Sequence, residues 1–266
     1  MINEKKPHIL IVLFICLIQF LSAQSAFSSQ QVAAGYSTSY NQDDFANALN
    51  PTSLINLSHA WNISASHEQR YFSDINASHL LLSRSWKTQG ISFQFFNYGI
   101  SEFKTNLWTI SYARALSQSL TIGTQLTYER LIIKENGSDG GINLNLNLSQ
   151  AIGDHIDVHL IARNLNSQST INQEEYIGGV TFVINDGLRL HTEYVLQPMF
   201  DSDAFIIGIH YEPIAKVQVS LAINTLHQGP TLGLQYDNTN YLIAVAVSNH
   251  QQLGRSASLT LGGRLN

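Results

Sequence analysis

Between residues 120 and 148 apolar and polar side chains alternate almost without a break. Leu120, Ile122, Leu126 and Tyr128 fall on one side, Thr121, Gln125, Thr127 and Glu129 on the other. After a turn over residues 134–141 the pattern resumes, with Ile142, Leu144, Leu146 and Leu148 set against Asn143, Asn145, Asn147 and Ser149. Successive strand side chains point to opposite faces, so a period of two gives one apolar and one polar face. Each run lasts about nine to eleven residues, the length a tilted strand needs to cross a bilayer. The pattern predicts an all-β fold, a transmembrane antiparallel β-barrel.

Alternation and turn residues together place about fourteen strands: 57–66, 77–88, 90–98, 106–116, 119–132, 140–151, 155–164, 176–184, 187–196, 203–212, 216–225, 230–236, 240–248 and 256–265. The connections alternate in length. Short ones fall at 88–90, 117–119, 153–154, 185–187, 213–216 and 237–240, longer ones at 67–76, 134–141, 166–175, 197–202 and 249–256. Bacterial barrels have short periplasmic turns, longer outer loops and both termini inside, so an even strand count and alternating loops agree. Tyr98, Trp108, Tyr112, Tyr128, Tyr194, Tyr211, Tyr236 and Tyr241 lie toward strand ends, where barrels carry aromatic girdles.

The first residues set the compartment. Lys5 and Lys6 precede an apolar run over residues 9–21, followed by Ser22, Ala23, Ser25 and Ala26. That reads as a secretory signal peptide over residues 1–24; the run is too short for a spanning helix. Cys16, the single cysteine, sits within it, so the exported chain would have no disulfide and no thiolate chemistry. Residues 25–56 are polar and small and include the Asn50-Pro51 pair. Proline interrupts a ladder, so this segment is expected to tuck inside the barrel as a plug or cap its periplasmic mouth. The barrel itself would occupy 57–266, in the bacterial outer membrane.

Charged residues make up 12% of the chain, about half the usual share in soluble domains. A net charge of −5 argues against nucleic-acid binding. Projected inward, the alternation gives Glu129, Asp157, His159, Arg163, Arg189, His191, Glu193, His210, Glu212 and Arg264. Two readings suit such a set: a catalytic or metal cluster, or a network of mutually paired polar side chains filling a narrow lumen. The second is preferred, because buried charge persists only when paired and hydrogen-bonded. The three histidines sit on separate strands, and no helical metal motif or nucleophile elbow occurs. No catalytic residue, metal or cofactor is expected.

Three motifs carry a family resemblance. Asn50-Pro51-Thr52-Ser53-Leu54 resembles the Asn-Pro-Ala-x-Leu element near the start of the PorV/PorQ family, FadL-like fourteen-stranded outer-membrane barrels found chiefly in Bacteroidota. Gln94-Phe95-Phe96-Asn97-Tyr98-Gly99 resembles its Asn-Tyr-Gly strand end, and Ala162-Arg163-Asn164-Leu165 its Arg-Asn-Leu-Gly element, with Asn166 in place of the glycine. The order fits across residues 50–266. The resemblance implies a barrel that works with the type IX secretion machinery, as a cargo shuttle or an attachment-complex component. Two functional classes follow: a non-enzymatic docking subunit of an outer-membrane secretion or assembly complex, or a FadL-like passage for small hydrophobic solutes. The partners expected are outer-membrane lipid and lipopolysaccharide, together with another outer-membrane or secretion-complex protein.

The register makes a direct prediction. Leu144→Arg or Leu146→Arg puts a cation on the lipid face, which costs about 2–4 kcal/mol at the midplane, whereas Asn145→Arg faces the lumen and should be milder. Heat-modifiable gel mobility after refolding measures both, and equal damage from the two would place the register off by one.

Overall fold

The computed structural model describes residues 29–34, 37, 46–57, 60–70, 75–166, 174–198, 203–225, 229–250 and 254–265. The signal segment at residues 1–24 lies outside the described residues. The chain forms β1 (Trp61–Arg70), β2 (Ile75–Trp86), β3 (Gln89–Gly99), β4 (Phe103–Ala115), β5 (Leu120–Ile133), β6 (Gly137–Ile152) and β7 (Ile156–Arg163). It continues through β8 (Glu175–Asn185), β9 (Leu188–Leu196), β10 (Ala204–Ile214), β11 (Val217–Asn224), β12 (Gly229–Asp237), β13 (Tyr241–His250) and β14 (Gly254–Leu265). Every strand pairs antiparallel with its sequence neighbours, and β14 returns to β1 from Trp61↔Leu265 to Gln69↔Ala257, closing the barrel.

Alternation sorts the two faces. Leu82, Phe93, Ile110, Leu126, Ile142, Leu146, Leu232 and Val247 stand exposed on the outside, while Gln94, Ser111, Gln125, Asn143 and Asn147 are buried inside. An apolar exterior belt around a closed ladder is the bilayer-crossing solution in which no backbone group is left unpaired. The molecule is a transmembrane β-barrel.

Several boundaries differ from the sequence reading. β1 starts at Trp61 rather than 57 and runs to Arg70. Residues Pro51–Asn56 instead form a 3-10 helix: the Asn50 side chain accepts hydrogen bonds from the Thr52 amide (3.1 Å) and hydroxyl (2.6 Å), a cap that starts a helical turn where Pro51 has no N–H to give a ladder. The loop expected at 134–141 is a tight turn over residues 134–136 that carries β5 and β6 outward as a long hairpin. Glu135 (φ 71°) and Gly137 (φ 96°) supply the left-handed backbone that closes it. β4 likewise begins at Phe103 rather than 106.

Girdles form at both ends. Trp108 stacks on Tyr128 (5.6 Å between centroids) in the outer half, and Tyr236 lies 6.0 Å from Tyr241 at the end bearing the termini. Tyr98 does not join them. It shares the parity of Gln94 and Phe96, so it points into the lumen, stacked on Phe96 (6.4 Å) beneath the Arg70 guanidinium (5.0 Å).

The described residues of the N-terminal segment pack inside the barrel. A short helix, α1 (Ser29–Ala33), lies against β11–β14, and the 3-10 helix Pro51–Asn56 lies against β2–β6. Val32, Ala34 and Leu54 are fully buried there. Wall glycines make the room: a Cβ at Gly90 would stand 2.6 Å from Leu54 Cβ, one at Gly123 2.8 Å from Pro51 Cγ, and one at Gly233 2.2 Å from Ala33 Cβ. The seat of the plug is therefore written into the wall.

Gly90→Ala should lower the stability of the folded barrel by about 1–3 kcal/mol, the usual cost of overpacking. Gly178→Ala, whose Cβ would meet nothing closer than Leu160 Cδ2 at 3.9 Å, should be nearly neutral. Urea titration of the barrel in lipid vesicles checks the pair, and equal midpoints would contradict the seat.

Candidate functional site

Two features of the barrel could carry function: the polar lumen that grips the N-terminal segment, and an apolar groove in the outer wall. The grip is built from side chains on the inward parity of β5–β12. Ser37 Oγ donates to Glu193 Oε2 (2.9 Å), Gln125 Nε2 to the Ala48 carbonyl (3.1 Å), and Thr231 Oγ1 to the Ala33 carbonyl (3.2 Å). A chain of two imidazoles completes it. His191 Nε2 lies 3.1 Å from the Ala34 carbonyl, His210 Nε2 lies 3.0 Å from His191 Nδ1, and Ser220 Oγ lies 2.7 Å from His210 Nδ1. A carbonyl can only accept, so with both rings neutral the donors run Ser220 to His210 to His191 to Ala34. The rings stack at 4.9 Å. His191 fits because Gly208 stands beside it: a Cβ there would be 2.2 Å from His191 Cε1.

The sequence-derived lumen set divides in the structure. Arg189, His191, Glu193 and His210 are neighbours on β9 and β10, with Arg189 directly opposite His210. Glu129 is buried on β5 and accepts from Asn143 Nδ2 (3.4 Å). Arg163 Nη1 lies 3.6 Å from Glu175 Oε2 at the outer end of β7 and β8, where Gln197 also donates to Glu175 Oε1 (2.8 Å). Arg264 grips Asp237 and the Asn238 carbonyl at the opposite end. His159 is fully buried on β7, with neither ring nitrogen hydrogen-bonded among the described residues, and Asp157 near it is half-buried. Glu212 departs from the expectation. The ladder of β10 shifts register after Tyr211, and Glu212 lies exposed at the turn, accepting from the Lys216 amide (3.0 Å).

Other inward residues were not in that set. Glu68 and Arg70 form a buried pair (2.8 Å), missed because β1 was ended too early; Glu175 and Gln197 were assigned to loops. The motif residues of the family resemblance have local roles: Asn50 caps the 3-10 helix, Gly99 turns at φ 136°, and Asn164 turns at φ 57° and donates its N–H to Asn145 Oδ1 (2.9 Å). Leu165 N–H then reaches the Leu144 carbonyl (2.9 Å). Gly99 and Asn164 end strands, and these groups do not converge on a centre. No group of three or more metal-ligating side chains occurs among the described residues.

The groove lies on β6–β9. Its volume is about 460 Å³, and Leu146, Leu148, Leu160, Tyr176, Gly178 and Leu196 are among its lining residues. Ile161 and Ile177 also line it. These two belong, with Val195, Ala204 and Ile206, to a buried apolar cluster on the inward parity of β7–β10. Elsewhere the described lumen of β5 and β6 is polar, with Gln125, Glu129, Asn143 and Asn147 buried. On this sector the wall is greasy on both faces, as it also is at β2–β5, where Phe96, Phe103 and Leu131 are buried inside.

No family model matches the chain, and no curated protein matches it by sequence. Solved structures do match. The toluene transporter TbuX of Ralstonia pickettii superposes with a TM-score of 0.67 at 12% identity, covering 92% of this chain and 100% of that one. The toluene transporter TodX of Pseudomonas putida gives 0.67 at 9%, with 90% and 96% covered. A FadL homologue from Pseudomonas aeruginosa gives 0.64 at 7%, with 91% and 99% covered. The chain shares the fold of these FadL-like outer-membrane channels.

His191 and His159 differ in a way that can be measured. His191→Leu strands the Ala34 carbonyl and a His210 nitrogen, at about 1–3 kcal/mol for each buried group left unmet. His159→Leu removes a ring that makes no hydrogen bond within the described barrel and should cost less. Protease resistance of the N-terminal segment and the urea midpoint should both rank H191L below H159L; the reverse order would break the proposed grip.

Proposed function

We propose that this barrel is a non-enzymatic passage for small hydrophobic solutes across the outer membrane, kept closed to ions by its N-terminal segment. One observation carries the reading: Ile161 and Ile177 line the wall groove and also belong to the apolar cluster inside, so an indented apolar outer wall here backs directly on an apolar inner patch. An apolar molecule gains roughly 25 cal/mol for each Å² it removes from water, and this sector offers such a surface without a charged group to desolvate. The fold shared with proteins described as toluene transporters supports the same class. The lumen histidines act as plug supports and not as catalytic or metal-binding groups.

A second reading, a docking subunit of an outer-membrane secretion complex of PorV/PorQ type, draws on the three sequence motifs and on the filled interior. It requires no solute path and predicts a stable complex with another membrane protein.

Expression in a porin-deficient Gram-negative host separates the two. The passage reading expects a several-fold rise in uptake of labelled toluene and a loss of most of that rise in Gly178→Trp, which fills the groove at a position with open space. Ion conductance in planar bilayers should stay small. Uptake equal to the empty host, or a conductance of porin size, would overturn the proposal.

A further inference from the structure

The exterior of β2–β4, at the end that bears the termini, concentrates positive charge. Arg84 and Arg114 stand exposed on the outward face, and Lys87 stands exposed in the β2–β3 turn. The register brings them together. Trp61 is opposite Arg84, Arg84 is opposite Ile91, and Ile91 is opposite Tyr112. One step nearer the membrane edge, Trp86 is opposite Gln89, and Gln89 is opposite Arg114. The Arg84 guanidinium lies 4.8 Å from the Trp61 ring and 5.9 Å from the Trp86 ring, and Tyr112 donates to Gln89 Oε1 (2.9 Å).

Among the described residues no carboxylate answers these cations. The segments 57–61, 84–92 and 111–123 contain neither Asp nor Glu, and no ion pair to Arg84, Lys87 or Arg114 forms among the described residues. The acids of this end, Asp154, Asp157, Asp186, Glu212 and Asp237, lie along β6–β12 instead. In a chain of net charge −5, this is a local reversal of sign. Below the cations the same strands present exposed Leu82, Ile91 and Phe93 to hydrocarbon.

We propose that Arg84, Lys87 and Arg114, framed by Trp61, Trp86 and Tyr112, form a binding site for the headgroup of an anionic phospholipid in the inner leaflet. The termini mark the periplasmic end, which places the cluster at that leaflet's headgroups. Arginine meets a phosphodiester with two parallel donors. The indoles hold the Arg84 guanidinium by cation–π contact without neutralising it. The apolar shelf beneath takes the acyl chains. The site ties one flank of the barrel to lipid, on the opposite side of the periplasmic rim from its acids.

The test uses the full exported chain carrying Trp108→Phe, which leaves Trp61 and Trp86 as the tryptophans, since the chain has three. The protein is refolded into phosphatidylcholine vesicles containing either brominated phosphatidylglycerol or brominated phosphatidylcholine at one mole fraction, and tryptophan quenching is read. Brominated phosphatidylglycerol should be enriched about five-fold or more around the indoles, with the preference shrinking as salt rises. Inorganic phosphate at matched ionic strength should not displace it. R84Q/K87Q/R114Q should equalise the two lipids, and R84K/R114K should keep much of the preference. Equal quenching by both lipids in the parent protein, which needs no variant, would overturn the site, as would a preference that survives in the triple glutamine variant or is displaced by free phosphate.

Discussion

Closure of the ladder between β14 and β1 is the constraint on which the rest depends. Inside hydrocarbon an unpaired N–H or C=O costs several kcal/mol, so a sheet in the bilayer must have no edge. The pairing from Trp61↔Leu265 to Gln69↔Ala257 removes it. At the termini end Arg264 ties β14 to the β12–β13 turn through Asp237 and the Asn238 carbonyl. Once closed, the alternation of each strand leaves no choice: one parity faces lipid and must be apolar, and the other faces a narrow interior that must be filled.

What fills it determines what the barrel can do. Polar side chains alone do not complete the interior; the N-terminal segment enters, and glycines in the wall mark where it sits. The surrounding polar groups then spend their hydrogen bonds on that segment's carbonyls, as Gln125 does with Ala48 and His191 with Ala34. The part of the interior that they line is polar and holds the described N-terminal residues. An apolar molecule faces a different surface: at β7–β10 the inward parity carries Ile161, Ile177, Val195, Ala204 and Ile206, and the wall outside is indented. The two sectors follow from one sequence device, the replacement of inward polar residues by aliphatic ones over a short stretch of neighbouring strands.

Much of this was legible in the chain. The strand count and the lipid and lumen parities of β5 and β6 follow from period-two alternation. What was not legible depended on groups far apart in sequence. His191 and His210 read as isolated lumen residues because nothing local announces a hydrogen bond to the backbone of residue 34. Glu212 kept the lumen parity on paper but lost it to a bulge, which alternation cannot signal. The apolar inward positions 161, 177, 195 and 206 look like register noise strand by strand, and become a surface only when the strands lie side by side. The tip of the β5–β6 hairpin was read as a loop over 134–141 because Glu135, Asn136 and the glycines around them have turn composition over more residues than the turn uses.

The central claim is that apolar solutes meet the barrel at the sector shared by the groove and the inner cluster. Photolabelling the folded barrel in lipid vesicles with a small aromatic diazirine, with and without excess toluene, and mapping the adducts by mass spectrometry tests it most directly. The account predicts toluene-competed adducts on Ile161 and Ile177, against uncompeted, diffuse labelling elsewhere on the exterior belt. Competition that is absent, or spread evenly around the barrel, would contradict it.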